Sequence, residues 1–196
     1  MKKSTYRPIA VTAMLGAASA VLMMLSFPIP AIIPGFIKMD FSELPALLAA
    51  FALGPWHGVA VCLVKNVINV TMTTTGGVGE LANFLLGAAF VLPAGYLYRF
   101  AKNRKGAFWG SAAGAVASAV ISFPVNYWIT YPFYAKAMIP METIINQYSA
   151  IWPAADTLEK CLLYFNLPFT LLKGCIVVAL TFAVYKPLSP ILKGRN

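Results

Sequence analysis

Long apolar runs, separated by short segments rich in proline, glycine or charge, dominate the pattern of this chain. Several of these runs approach the roughly 20 apolar residues that an α-helix needs to cross a membrane. They predict six transmembrane helices: about 8–26, 41–53, one that follows the turn at 54–58 and ends near 74, 80–98, 107–131, and one from 168 to just before 187. The run at 41–53 is short enough to form an interfacial helix instead.

The segments between the runs predict loops of different kinds. Residues 27–35 contain three prolines, which cannot continue a helix and predict a stiff, apolar loop. Residues 75–79 contain three glycines and predict a flexible loop. A kink is expected in the fifth helix near Pro124. The more polar stretch 135–165 predicts a long outer loop with short amphipathic helices, which would suit a lid.

The composition favours a membrane protein over a soluble one. The chain has 196 residues, of which 60% are hydrophobic and 11% charged, whereas soluble domains carry roughly 25% charged residues. We therefore predict an all-α integral membrane protein with a single domain over 1–196. The net charge of +9 does not indicate nucleic acid as a partner, because the basic residues flank apolar runs, as in proteins that contact the headgroups of a lipid bilayer.

The distribution of charge also predicts the orientation in the membrane. With a cytoplasmic N-terminus, the inner segments hold ten Lys and Arg residues: Lys2, Lys3, Arg7, Arg99, Lys102, Arg104, Lys105, Lys186, Lys193 and Arg195. The outer loops hold Lys38, Lys136 and Lys160, and all six acidic residues lie on or near the outer side. By the positive-inside rule, both termini are predicted to be cytoplasmic.

A polar stripe opens the last apolar run. Asn166, Thr170 and Lys173 are spaced i, i+4 and i+7, which places an amide, a hydroxyl and an ammonium on one side of a helix. Within a membrane such a stripe should face protein or a water-filled cavity, so we interpret it as one wall of a ligand pocket. Alternatively, Lys173 could extend toward the headgroups, and Asn166 could cap the helix.

Further polar residues are predicted at the same outer depth. Asn126 follows Pro124 by two residues, and it is either a ligand contact or a partner for a carbonyl that the proline frees. Glu80 could be explained by the helix dipole alone, which favours a carboxylate in the first turn of a helix. Asn83 lies one turn deeper. Both are secondary candidates for ligand contact. Asp40 could form a surface pair with Lys38.

Lys65 lies near the middle of the third predicted helix, beside Asn66 and one turn before Asn69. Because a mid-membrane lysine costs at least roughly 2.5–3.5 kcal/mol on insertion scales, it must face something polar. The sequence does not identify its partner, and a structural polar cluster and a ligand contact remain equally open.

Small residues recur at helical spacing in two predicted helices, which permits close helix approach in lipid. Gly106, Gly110, Gly114, Ser118 and Ser122 in the fifth helix favour internal packing. In the first helix, Ala13 and Ala17 with Gly16 and Ala20 could equally form an external docking surface.

Enzymatic motifs are missing from the sequence. It contains no G-x-x-x-x-G-K-[ST] phosphate-binding loop, no H-E-x-x-H and no G-x-S-x-G. Its scattered cysteines and single histidine have no metal-ligand spacing. We therefore predict neither an enzyme nor a metal protein.

Five segments carry a resemblance to a known family: KMDFSELP at 38–45, KN at 65–66, GELANF at 79–84, NY at 126–127 and PFTLLKG at 168–174. Together they resemble the substrate-binding S-components of energy-coupling factor (ECF) vitamin transporters, specifically the riboflavin-binding members. The resemblance covers nearly the whole chain, although the family often has Asn where this chain has Thr170.

The resemblance implies a six-helix bundle with an outward-facing riboflavin pocket beneath the first loop, and no bound cofactor. Asn126, Thr170 and Lys173 would contact the isoalloxazine ring, with Asn166 nearby. The ribityl hydroxyls would be bound by Glu80 and Asn83, and Asp40 is a further candidate ligand contact. Apolar walls would come from Phe41, Phe84 or Trp128.

The resemblance also implies partners and a location. A transmembrane coupling subunit and two cytoplasmic ATPases would drive transport, and the coupling subunit would dock on the Ala13 and Ala17 face. The chain would be a multi-pass protein of a bacterial plasma membrane. Competing interpretations are an S-component for thiamin, biotin or pantothenate, a stand-alone secondary transporter, and a purely structural subunit. A secondary transporter often shows an internal repeat, and none is convincing here.

Overall fold

Nine α-helices and one small hairpin make up the part of the chain that the computed structural model describes, namely the backbone of residues 6–193 and the side chains of residues 6–184. The helices are α1 (Tyr6–Met24), α2 (Glu43–Ala52), α3 (Pro55–Val70), α4 (Val78–Phe100), α5 (Arg104–Val125), α6 (Tyr131–Ala137), α7 (Met141–Ser149), α8 (Leu158–Cys161) and α9 (Leu167–Lys193). The predominantly helical class is confirmed. The basic residues Lys2, Lys3 and Arg195, which contribute to the predicted orientation, lie outside the described residues.

Four helical segments in the described part of the chain are long and apolar enough to cross a membrane: Tyr6–Met24, Val78–Phe100, Arg104–Ala137 and Leu158–Val184. They correspond to four of the six predicted transmembrane helices. The other two correspond to α2, with 10 residues, and α3, with 16 residues. Both are shorter than the roughly 20 residues of a lipid-spanning helix, so length and composition alone support four spans.

Two π-helical turns join shorter helices into long ones. The turn Asn126–Thr130 connects α5 to α6, and the turn Leu162–Asn166 connects α8 to α9. The helical segment that contains the last predicted span begins before Pro168, at Leu158. The π turn lies directly before Pro168, where it widens the backbone at a residue that lacks a donor.

The proline loop after α1 contains a short hairpin that the sequence did not predict. Strands β1 (Phe27–Pro28) and β2 (Lys38–Met39) are antiparallel, with Phe27 opposite Met39. The hairpin carries Ile33 and Met39 into a buried cluster that also contains Tyr131, Tyr148 and Phe169. A second apolar cluster is formed mainly by α2, α3 and α4.

Small residues bring α5 close to α4, as the sequence favoured. A Cβ added at Gly114 would lie 2.2 Å from the carbonyl oxygen of Phe90, and one at Gly110 would lie 2.8 Å from that of Ala94. Ser118 donates a hydrogen bond to the Leu86 carbonyl at 3.0 Å. The small residues of α5 therefore serve internal packing.

The small residues of α1 divide into two faces. Gly16 packs against Val64 of α3, and Ala20 is buried. Ala13 and Ala17 are exposed on the opposite side of the helix. One face of α1 thus packs inside the bundle, and the other exposes Ala13 and Ala17 together with larger side chains such as Met14.

Candidate functional site

A cavity of about 460 Å³ lies where the two apolar clusters meet. Small-molecule sites usually occupy roughly 300–1,000 Å³, so the cavity can hold a medium-sized organic ligand. Seven of the eight predicted ligand-binding residues line it: Asp40, Glu80, Asn83, Asn126, Asn166, Thr170 and Lys173. Lys38, Glu43, Asn69, Thr74 and Thr75 add polar groups to its wall.

Lys173 points into the protein, where two carboxylates hold its ammonium. Its Nζ lies 2.9 Å from Asp40 Oδ2 and 3.1 Å from Glu43 Oε2. An extension toward the headgroups is therefore not what the structure shows. The proposed pair of Asp40 with Lys38 is also wrong, because Asp40 is buried and faces Lys173 instead.

Asp40 stays ionised in this arrangement. Burial alone would raise the pKa of its carboxyl, but the charges of Lys173 and Lys65 hold that pKa below its ordinary value. The side chain of Ser42 also donates to Asp40 Oδ1 at 2.5 Å, and the Ser42 backbone N–H donates to the same oxygen at 2.9 Å. The loop before α2 is thereby fixed against α9.

The partners of Lys65 are Glu43 and Ser42, which the sequence did not identify. The fully buried Lys65 Nζ lies 2.7 Å from Glu43 Oε1 and 2.6 Å from Ser42 Oγ. Glu43 opens α2, where the helix dipole alone would account for a carboxylate. Its apolar surroundings are the signal that a buried cation must neutralise it.

Asn166 belongs to a buried triad with two tyrosines. Its Nδ2 donates to Tyr131 Oη at 3.0 Å, its Oδ1 accepts from Tyr148 Oη at 2.6 Å, and the two hydroxyls bond to each other. Burial raises the pKa of Tyr148, so its hydroxyl remains a donor. The amide is therefore committed to this network, which ties α7 to the cavity wall.

Asn126 and Thr170 have unused hydrogen-bonding capacity. Within the described residues, the Asn126 side chain makes no hydrogen bond, and it does not bond to a carbonyl freed by Pro124. Thr170 Oγ1 donates to the backbone oxygen of Asn166 at 2.8 Å. Its oxygen can still accept a hydrogen bond from a ligand.

Glu80 organises the loop between α3 and α4. Its carboxylate accepts from Asn69 Nδ2 at 3.1 Å, Thr73 Oγ1 at 2.8 Å and Thr75 Oγ1 at 2.9 Å. Gly77 in this loop has a φ of 85°, which favours glycine. One turn deeper, Asn83 Oδ1 accepts from Asn66 at 3.3 Å, and Asn83 lines the cavity.

The apolar walls differ from those that the sequence suggested. Phe41 is half-buried beside Phe27 and does not line the cavity; Phe84 packs in the core, and Trp128 is 72% exposed. The apolar side chains that do line it include Met23, Ile33, Phe36, Phe90, Tyr131 and Phe169. Within uniformly apolar runs, the sequence gives no signal that separates these residues from their neighbours.

No group of three or more potential metal ligands occurs in the described part of the chain. The cavity is lined by hydrogen-bonding groups, by the charged groups of Asp40, Glu43, Glu80 and Lys173, and by aromatic side chains.

Comparisons with known proteins relate the whole chain to transporters. The family model described as "ECF transporter, substrate-specific component" matches residues 7–185. The chain is 32% identical to the riboflavin transporter RibU of Staphylococcus aureus over 180 residues, which cover 92% of this chain and 89% of that protein. It is 30% identical to the riboflavin transporter FmnP of Bacillus subtilis, over 97% of this chain and 96% of that protein.

A solved structure has the same fold. It is the S component of a bacterial ECF transporter, and it matches with a TM-score of 0.76 and 28% sequence identity. The match covers 97% of this chain and 99% of the other.

Proposed function

Because this chain belongs to the family of substrate-specific components of ECF transporters, we propose that it binds riboflavin from outside the cell and delivers it inward. The chain is a transporter component and not an enzyme. The observation that carries the proposal is the cavity itself, in which the unpaired amide of Asn126 and the ammonium of Lys173 line one space with aromatic walls. The curated relatives, which are named riboflavin transporters, support this ligand.

The chemistry of the flavin ring suits these side chains. The imide edge of isoalloxazine presents an N–H donor between two carbonyl acceptors. The Asn126 amide can donate to and accept from that edge, Lys173 can donate to a ring carbonyl, and Thr170 can accept from the N–H. Phe36 and Phe169 supply apolar surface for the ring in place of Phe41.

The remaining polar wall suits the ribityl chain. Glu80 and Asn83 can offer acceptor oxygens and an amide to the ribityl hydroxyl groups, and Asp40 is a further candidate contact beside Lys173. Asn166 contributes through its tyrosine triad, which shapes the wall near the ring.

We further propose six membrane crossings with both termini in the cytoplasm of a bacterium. Although α2 has only ten residues, eight of them are buried. A helix that is shielded by other helices does not have to match the thickness of the lipid. The basic segment that contains Arg99 and Lys105 would then be cytoplasmic, and the segment that carries α7 would be outside. We also propose residues 135–165 as an outer lid, because Tyr148 of α7 donates a hydrogen bond to Asn166 at the cavity wall.

Transport would require partners that this chain lacks. The sequence has no phosphate-binding loop, so a transmembrane coupling subunit and two cytoplasmic ATPases would supply the work. The exposed Ala13 and Ala17 face of α1 is the proposed docking surface for the coupling subunit.

Riboflavin titration of the purified protein in detergent tests the ligand directly. We expect quenching of flavin fluorescence at saturable, near-stoichiometric binding, with no competition from thiamin, biotin or pantothenate. Tight binding of one of those vitamins in place of riboflavin would show that the chain is an S-component for that vitamin. Riboflavin uptake into proteoliposomes that lack every ATPase would favour a stand-alone transporter.

A further inference from the structure

Lys65 is fully buried and does not line the cavity, yet it contacts a residue that does. Its Nζ binds Glu43 Oε1 at 2.7 Å, whereas the other oxygen of the same carboxylate binds Lys173 at 3.1 Å. Glu43 is therefore shared between a cation in the core and a cation at the cavity wall. This division fixes the orientation of the carboxylate.

The four charges of this cluster balance. Asp40 and Glu43 carry two negative charges, and Lys65 and Lys173 carry two positive charges. Ser42 links the two halves, because it accepts from Lys65 at 2.6 Å and donates to Asp40 Oδ1 at 2.5 Å. Burial makes such a balance strict, since an unpaired charge in a low-dielectric interior is costly.

Resting on the proposed function, we propose that Lys65 is a positioning residue for riboflavin binding, which acts through Glu43. Because Lys65 neutralises Glu43 from the core side, it weakens the electrostatic attraction between the carboxylates and the Lys173 ammonium. The Lys173 ammonium can then donate to a ring carbonyl of the ligand. Without Lys65, two carboxylates share one ammonium, and the ligand must compete with both for its protons.

The charge balance also predicts a dependence on pH that a packing role for Lys65 would not produce. When Lys65 is replaced by a neutral residue, the cluster keeps two carboxylates and only one ammonium. A proton that the cluster takes up on acidification would restore the balance of charge. The charged groups of the cluster are Asp40 in the loop, Glu43 on α2, Lys65 on α3 and Lys173 on α9, and the Cys62 thiol of α3 lies near them.

The test compares riboflavin affinity in four variants of the full chain at about pH 7.5 and about pH 5.5. The variants are Lys65→Met, Glu43→Gln, the double variant, and Lys102→Met as a matched control. Lys102 is exposed in the segment between α4 and α5 and does not line the cavity. The wild type and the control should bind equally well.

We expect Lys65→Met to weaken binding by at least about tenfold at the higher pH, and to recover most of the loss at the lower pH. The double variant should bind within about twofold of Glu43→Gln at both pH values. If Lys65→Met does not fold, this second comparison decides alone, because the double variant keeps the charges balanced.

Two results would overturn the proposal while the wild type binds riboflavin. One is unchanged affinity of Lys65→Met at both pH values. The other is a loss of affinity on replacing Lys65 that is equally large in the wild type and in the Glu43→Gln variant, which would indicate that Lys65 acts by packing alone. Failure of the wild type to bind riboflavin would instead overturn the proposed function, and this proposal with it.

Discussion

Asn126 differs from the other amide side chains of the cavity because its hydrogen-bonding groups have no partner among the described residues. Asn166 is fully engaged by two tyrosines, Asn69 donates to Glu80, and Asn83 accepts from Asn66. Asn126 is only partly buried and lines the cavity, so a molecule in the cavity can reach its amide. The free amide is therefore available to donate to and accept from a ligand.

Replacing Asn126 with alanine should weaken riboflavin binding about tenfold or more, since one or two buried hydrogen bonds are lost. The stability of the ligand-free protein should hardly change, because no internal hydrogen bond is removed. Fluorescence titration and thermal unfolding measure the two effects separately. Asn146→Ala is the matched control, since Asn146 is exposed on α7. Equal affinity of both variants would remove Asn126 from the site.

The sequence was sufficient to predict those site residues that helical spacing places on one face of a single helix. Asn166, Thr170 and Lys173 share a face by spacing alone, and all three line the cavity. The partners of Lys173 and Lys65 were not predictable in this way. Asp40 and Lys173 are separated by 133 positions, and only the packing of α2 between α3 and α9 brings these charges together.

The close contact between α4 and α5 depends on glycine at two positions, Gly110 and Gly114. At Gly114 an added Cβ would meet the Phe90 carbonyl oxygen at 2.2 Å, and a backbone atom cannot move aside as a side chain can. The helices would have to separate. Because α4 and α5 both contribute to the cavity, a shift here would also reach the site.

Gly114→Ala should therefore destabilise the protein by about 1–3 kcal/mol, as overpacking of a close helix contact usually does. The same substitution at Gly35 is the control, because an added Cβ there meets nothing within 4 Å. Thermal unfolding in detergent, followed by circular dichroism, compares the two variants. Identical unfolding midpoints would contradict the close packing of these helices.

Helices that are apolar along their whole length were predictable as elements, but their ends were not. The last long helical segment begins at Leu158 and continues through Pro168 by way of a π turn. Proline statistics predict a break at such a position, and they do not anticipate a widened turn. The hairpin of Phe27–Pro28 with Lys38–Met39 was missed because each strand has only two residues.

The orientation of the whole molecule can be tested with single cysteines in a background that carries Cys175→Ser. Lys102→Cys lies in the segment between α4 and α5, and Glu142→Cys lies at the start of α7. In intact cells, a membrane-impermeant maleimide should label the cysteine at 142 and label the one at 102 only after lysis. The reverse pattern, or labelling of both in intact cells, would contradict six crossings with cytoplasmic termini.

The exposed face of α1 is the proposed docking surface for a coupling subunit. Ala13 and Ala17 are exposed there, while Gly16 and Ala20 pack inward. Small side chains permit a close helix contact that a large side chain would block. Because this face is turned away from the neighbouring helices, a bulky residue on it should leave the cavity unchanged.

Ala17→Trp should therefore abolish ATP-dependent riboflavin uptake in cells that contain the coupling subunit and the ATPases, while the purified variant keeps wild-type affinity for riboflavin. Ala183→Trp places the same bulk on an exposed position of α9 and serves as the control. Loss of uptake in both variants would indicate a general defect of membrane insertion. Uptake that survives in Ala17→Trp would show that the coupling subunit docks elsewhere, since a tryptophan cannot fit within a contact built for alanine.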